Sequence, residues 1–182
     1  LSTRMVKLGH QVTCYNRGGH HVSGKEFDGA KLHEYEGVKL KTVPTINRKG
    51  LAAVSSSFFA ALASAFGRYD VVHIHAEGPA AMCWLPKLFG KRVVVTVHGL
   101  DHQRGEKWGK FARKYIMLGE KNAVRYADEI IVLSRGVQQY FADTYGRKTV
   151  FIPNGVERPE IVPAKLIKEK NGLDKDSYMN AA

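Results

Sequence analysis

Residues 93–97, Val-Val-Val-Thr-Val, form a run without a charge, set between Gly90 and Gly99. A run that short and β-branched throughout predicts a strand buried on both faces, as in a parallel sheet covered by helices. Comparable short runs recur at 12–15, Val38–Val43, 70–75, 129–133 and 150–152. Between them the apolar period becomes helical. Residues 1–8 are apolar at positions 1, 5 and 8 and stop at Gly9. Leu51–Phe66 is Ala-rich and ends at Gly67. Another helix is predicted from Pro79, which suits a first turn because its missing N–H is not needed there, to Phe89. In the longest, Trp108, Phe111, Ala112, Tyr115, Leu118, Gly119, Ala123 and Tyr126 recur at helical spacing, which predicts an inward apolar side. Ser134 fits the N-cap of a last helix reaching Tyr145. Residues 18–37, rich in Gly and charge, predict a long loop. The alternation predicts an α/β fold with a doubly wound, Rossmann-like parallel sheet.

In such sheets ligands gather beyond the carboxyl ends of the strands. His98 stands at one of those ends, where an imidazole can exchange a hydrogen bond with a sugar hydroxyl. Gly99 lets a ligand come close, and Asp101 and Arg104 add a carboxylate acceptor and a forked donor. His75 ends the preceding strand with Glu77 just beyond, which predicts substrate contacts. His73 lies two residues earlier, so it points the same way, and is expected to be a hydrogen-bonded core histidine. The plainer reading is that these residues cap and solvate loops. A metal site would need further ligands at suitable spacing, and the sequence offers none.

The 182 residues are 44% hydrophobic and 25% charged, the makeup of a globular chain with one sizeable core. A net charge of +11 changes the picture, because it points to anionic partners. Lys107, Lys110, Arg113, Lys114, Lys121 and Arg125 form a basic stripe on the long helix, suited to phosphates or an anionic bilayer. Nucleic acid competes for that stripe, but no helix-turn-helix, zinc or stacking signature accompanies it. Cys14 and Cys83 read as core thiols without a disulfide framework, which suits a reducing cytosol. No apolar run is long enough to span a bilayer and no secretory signal pattern is visible. Neither GxGxxG nor a P-loop occurs between a strand and a helix. The chain opens on Leu1 with a mid-helix pattern, so it is expected to be a fragment of a longer protein.

Four strand ends, taken in order, carry a resemblance: Asp70-Val-Val-His-Ile-His75, Val95-Thr-Val-His-Gly99, Tyr126-Ala-Asp-Glu-Ile-Ile-Val-Leu-Ser134 and Ile152-Pro-Asn-Gly-Val-Glu157. Together they resemble the first domain of family 4 retaining glycosyltransferases, which have the two-domain GT-B fold. Rhamnosyltransferase-type bacterial enzymes share the Lys-Trp-Gly-Lys stretch at 107–110. The resemblance implies transfer of a sugar from a nucleotide-sugar donor to a saccharide or lipid-linked acceptor, with retention and without a metal or other cofactor. It implies that His98 acts on the donor sugar and that Ser134, Arg135, Asn154 and Gly155 line the same cleft. Residues 1–157 would be the acceptor-side domain, with the first strand and its Gly-rich loop expected ahead of Leu1. Residues 158–182 would be linker and the start of a donor-binding domain, so the chain alone is expected to be inactive. The expected setting is the cytoplasm, peripheral to the inner membrane face. Two rivals stand beside this: a non-enzymatic basic domain binding nucleic acid or a phosphorylated ligand, and a nucleotide-sugar epimerase of GT-B fold.

Overall fold

The computed structural model describes residues 1–19, 32–48, 50–100 and 109–155. Along the chain run α1 (Ser2–Lys7), β1 (Thr13–Arg17), β2 (Glu34–Tyr35), β3 (Val38–Val43), α2 (Leu51–Phe66) and β4 (Val71–His75). There follow α3 (Glu77–Ala80), α4 (Trp84–Leu88), β5 (Arg92–Val97), α5 (Lys110–Tyr126), β6 (Glu129–Val132), α6 (Arg135–Tyr145) and β7 (Val150–Phe151).

β5 is the strand expected to be covered on both faces. Val93, Val95 and Val97 are fully buried and Thr96 nearly so. They pack with Ile130 and Val132 of β6, Ala123 of α5, Cys83 and Phe141 of α6 in one core. Each such buried aliphatic side chain stabilises the fold by about 2 kcal/mol. The strands β4, β5, β6 and β7 lie in that order and all run parallel. Register sets His75 beside Thr96, Val97 beside Val132, and Val132 beside Phe151. Four carboxyl ends therefore finish along one rim.

The α/β fold with a Rossmann-like parallel sheet is the one expected, and among the described residues its strands fall into two sheets, β1-β3-β2 and β4-β5-β6-β7. Two expectations about single elements need correction. Within the predicted loop at 18–37, β2 pairs antiparallel with β3 through Glu36 and Gly37, both at positive φ, as a two-residue hairpin turn requires. The helix predicted from Pro79 to Phe89 is broken into α3 and α4. Pro86 has no N–H to continue an α-helical ladder through that stretch, a breaker visible in the sequence.

α5 crosses α3 in direct backbone contact. A Cβ at Gly119 would lie 1.7 Å from the carbonyl oxygen of Glu77. Asn122 Nδ2 donates to the carbonyl of Ala81 across the same crossing, at 2.7 Å. At the other end of α5, Asp128 accepts from the Val93 N–H at 2.7 Å and from Lys87 Nζ, fixing the start of β6 against β5. These two bonds hold the Asp128 carboxyl below its usual range.

Candidate active site

The rim carries a row of three imidazoles. His73 and His75 alternate with Ile74 along β4, so both project to one side, and their rings stack with centroids 4.3 Å apart. His98 follows β5 directly and is exposed. Its Nε2 lies 3.3 Å from His75 Nδ1, one of the two nitrogens donating to the other according to tautomer. The inner ring is anchored too: His73 Nε2 meets the buried Thr96 hydroxyl at 2.7 Å. His73 makes the hydrogen bond expected of it, from a half-buried position at the edge of the core.

Electrostatics follow from this packing. Withdrawal from water, then the neighbouring His75 and His98, hold the His73 pKa down to about 4. His75 is lowered by the same desolvation and by His98, although one edge of its ring is open. Both rings are therefore uncharged near neutral pH, and His98 has a neutral partner behind it. An outward imidazole backed in this way offers one nitrogen to a ligand hydroxyl.

Between β4 and α3 stands Ala76 at φ 73°, ψ 156°, a conformation that residues with a Cβ rarely adopt. Its N–H donates to the carbonyl of Thr96 at 2.9 Å. Just beyond, Glu77 departs from its expected role. It is 1% exposed where α5 crosses α3, so it does not line an open groove as the sequence suggested.

The next part of the rim is the start of α6. Ser134 is exposed and caps the helix, its Oγ accepting from the Val137 N–H at 3.3 Å. The Arg135 guanidinium lies 4.2 Å from the centroid of the Phe151 ring. It also donates to Gln138 Oε1 at 2.8 Å, and Gln138 Nε2 donates to the Thr149 carbonyl at 2.9 Å. Arg135 thereby gains a fixed place beside the end of β7. Asn154 and Gly155 follow β7 and are exposed. The structure thus joins His75 with His98, and Arg135 with Phe151, at the ends of neighbouring strands. Gly99 is half-buried after His98, while Asp101, Arg104 and Lys107 lie outside the described residues.

Of the basic stripe, Lys110 opens α5, and Arg113, Lys114, Lys121 and Arg125 are exposed. Here the predicted inward side was drawn too wide. Ile116, Gly119, Glu120 and Ala123 are buried, whereas Phe111 is 90% and Leu118 49% exposed. Buried Glu120 accepts hydrogen bonds from the hydroxyls of Tyr140 and Tyr145 on α6. Residue spacing gave no sign of the Thr96–His73 bond, the Arg135–Phe151 stack or the strained Ala76. Among the described residues no group of three or more His, Cys, Asp or Glu is placed to hold a metal. No helix among them is long and apolar enough to cross a membrane. An open depression of about 500 Å³ beside Tyr15, Lys41, Phe59 and Phe66 lies on the other sheet and contains none of these rim residues.

A parallel α/β sheet flanked by helices defines a Rossmann-like domain. Residues 1–158 match the family model described as Glycosyltransferase Family 4, and the chain belongs to that family. It is 27% identical over 108 residues to "Uncharacterized glycosyltransferase YqgM" of Bacillus subtilis (strain 168), a match covering 58% of this chain and 28% of that protein. Among solved structures, sucrose-phosphate synthase from Thermosynechococcus elongatus superposes with a TM-score of 0.61 at 15% identity, over 94% of this chain and 45% of that one. That likeness bears on the fold, which is the Rossmann-like half of a GT-B architecture. The chain spans less than half the length of either protein.

Proposed function

We propose that this chain is the acceptor-side domain of a retaining hexosyltransferase, of rhamnosyltransferase kind, that draws on a nucleotide sugar. Its acceptor is a saccharide or lipid-linked saccharide in the assembly of a cell-surface polysaccharide or glycolipid. The reaction takes place in the cytoplasm at the inner membrane face and uses no metal. The observation that carries the reading is the exposed His98, hydrogen-bonded to His75 at the end of the most deeply buried parallel strand. In the closed enzyme that imidazole holds a hydroxyl of the donor sugar while the bond from the anomeric carbon to the diphosphate breaks. Arg135 and the amino end of α6 lie along the same rim as electropositive groups. Most of the rate comes from stabilising the departing diphosphate, by groups supplied outside residues 1–157. The chain by itself is therefore inactive in this reading.

The test is sugar transfer by the full-length protein with a panel of nucleotide sugars, alongside His98→Ala. Loss of one hydrogen bond to a reacting sugar predicts a kcat/KM lower by about tenfold to a hundredfold with the fold intact. Unchanged transfer by the variant removes His98 from the site. A rearranged nucleotide sugar formed without acceptor would replace this reading with that of an epimerase.

A further inference from the structure

The outward face of α5 carries an arrangement that sugar transfer does not use. Phe111, Lys114, Leu118, Lys121 and Arg125 follow at intervals of three and four, which places them in one stripe along the helix. Phe111 is 90% and Leu118 49% exposed, and Met117 at the stripe's flank is 37% exposed. Lys114, Lys121 and Arg125 are exposed beside them. The single acidic residue of α5 is Glu120, which is 1% exposed and turned to Tyr140 and Tyr145. The stripe is thus apolar and cationic with no exposed carboxylate.

We infer that this stripe seats the protein on an anionic phospholipid bilayer, with Phe111 and Leu118 entering the headgroup boundary. The inference deepens the membrane-face placement proposed above by assigning it residues. A helix lying in an interface needs apolar side chains to enter the acyl boundary and long cations beside them to reach lipid phosphates. Phe111 and Leu118 are two turns apart, about 10 Å, so both reach one plane. Lys114 and Lys121 repeat that spacing next to them. The chain's +11 charge supplies the wider attraction. A duplex nucleic acid would take the cations but has little use for an aliphatic side chain and an exposed phenyl ring set in line with them.

The experiment is cosedimentation of the full-length protein with vesicles of phosphatidylcholine alone, or with phosphatidylglycerol at about one part in three. Binding is expected to favour the anionic vesicles and to weaken with salt. Lys114→Gln with Lys121→Gln should reduce partitioning about thirtyfold, an effect that fades in high salt. Phe111→Ser with Leu118→Ser should reduce it at least about tenfold at low and high salt alike. These positions are exposed, so circular dichroism should be unchanged. Indole emission from Phe111→Trp should shift to the blue on anionic vesicles. Equal binding to neutral vesicles, full binding by the serine pair, or an unshifted indole overturns the inference. So does displacement of the vesicles by duplex DNA in a manner blind to the serine pair. No nucleotide sugar enters the assay, so a failure of the transferase reading leaves its outcome untouched. Transfer to a soluble acceptor without vesicle binding would defeat the inference alone.

Discussion

Gly119→Ala isolates the contact that fixes α3, and with it the residues following His75. An added Cβ would meet the Glu77 carbonyl oxygen at 1.7 Å, its carbon at 2.8 Å and the Ala81 nitrogen at 3.1 Å. An ordinary contact needs about 3.5 Å, so the helices must part by well over 1 Å. All three atoms are backbone, and no rotamer change can make room. Overpacking of this kind costs about 3 kcal/mol. Alanine returns about 1 kcal/mol through its better helix propensity. The net loss is about 2 kcal/mol, or about 4–8 °C in Tm for a chain of this size.

Gly136→Ala supplies the control. Gly136 lies in α6 with nothing within 4 Å of an added Cβ, so helix propensity acts there without a clash and gives up to about 1 kcal/mol of stability. Urea unfolding of both variants measures the difference, and the opposite signs make the test sharp. Should Gly119→Ala stabilise the protein as Gly136→Ala does, α5 and α3 are not in backbone contact and the burial of Glu77 has another cause. Because α3 begins two residues after His75, separating the helices should also disturb the His75–His98 pair. Transfer by the full-length protein should then fall further than the folded fraction.

His73 predicts a pH dependence. Its folded pKa of about 4 lies below the ordinary value of 6.5, so the unfolded chain takes up its proton first as pH falls. The contribution is present above pH 6.5 and lost towards pH 4, about 2 kcal/mol being gone at pH 5. Comparing urea unfolding of wild type and His73→Gln from pH 7 to 5 checks it: the wild type should lose more, and equal slopes would show that His73 is not desolvated. Cys83 is fully buried, and desolvation pushes its thiol pKa up to about 12, so a disulfide reagent should modify it at the rate of unfolding. Fast labelling of Cys83 in the native Cys14→Ser variant would contradict that burial.

What was legible in the sequence is what local pattern decides. The β-branched run of β5 gave a buried strand, Ser134 capped α6, and α2 and α5 lie close to where periodicity put them. Strand period placed His73 and His75 on one side. It could not place His98 against His75, because that pair depends on the parallel register that sets His75 beside Thr96. Glu77 followed a strand and looked exposed, yet its burial depends on a glycine forty-two positions later in the chain. Phe111 and Leu118 misled because helical spacing admits neighbouring stripes, and packing against α3 and α6 selected the one through Ile116, Gly119 and Ala123.

One residue of β5 explains why the rim is ordered. Thr96 uses its hydroxyl to hold His73 and its carbonyl to receive the Ala76 N–H. The second bond helps keep Ala76 in a conformation costing about 1–3 kcal/mol, and that conformation turns the chain from His75 into α3. His98 is two residues further along the chain, just past the end of that strand. Both outer imidazoles therefore take their positions from one buried strand, His98 by sequence and His75 through Thr96. The geometry of the pair is thus tied to the stability of the core, and mutations that loosen β5 should separate the rings before they unfold the protein.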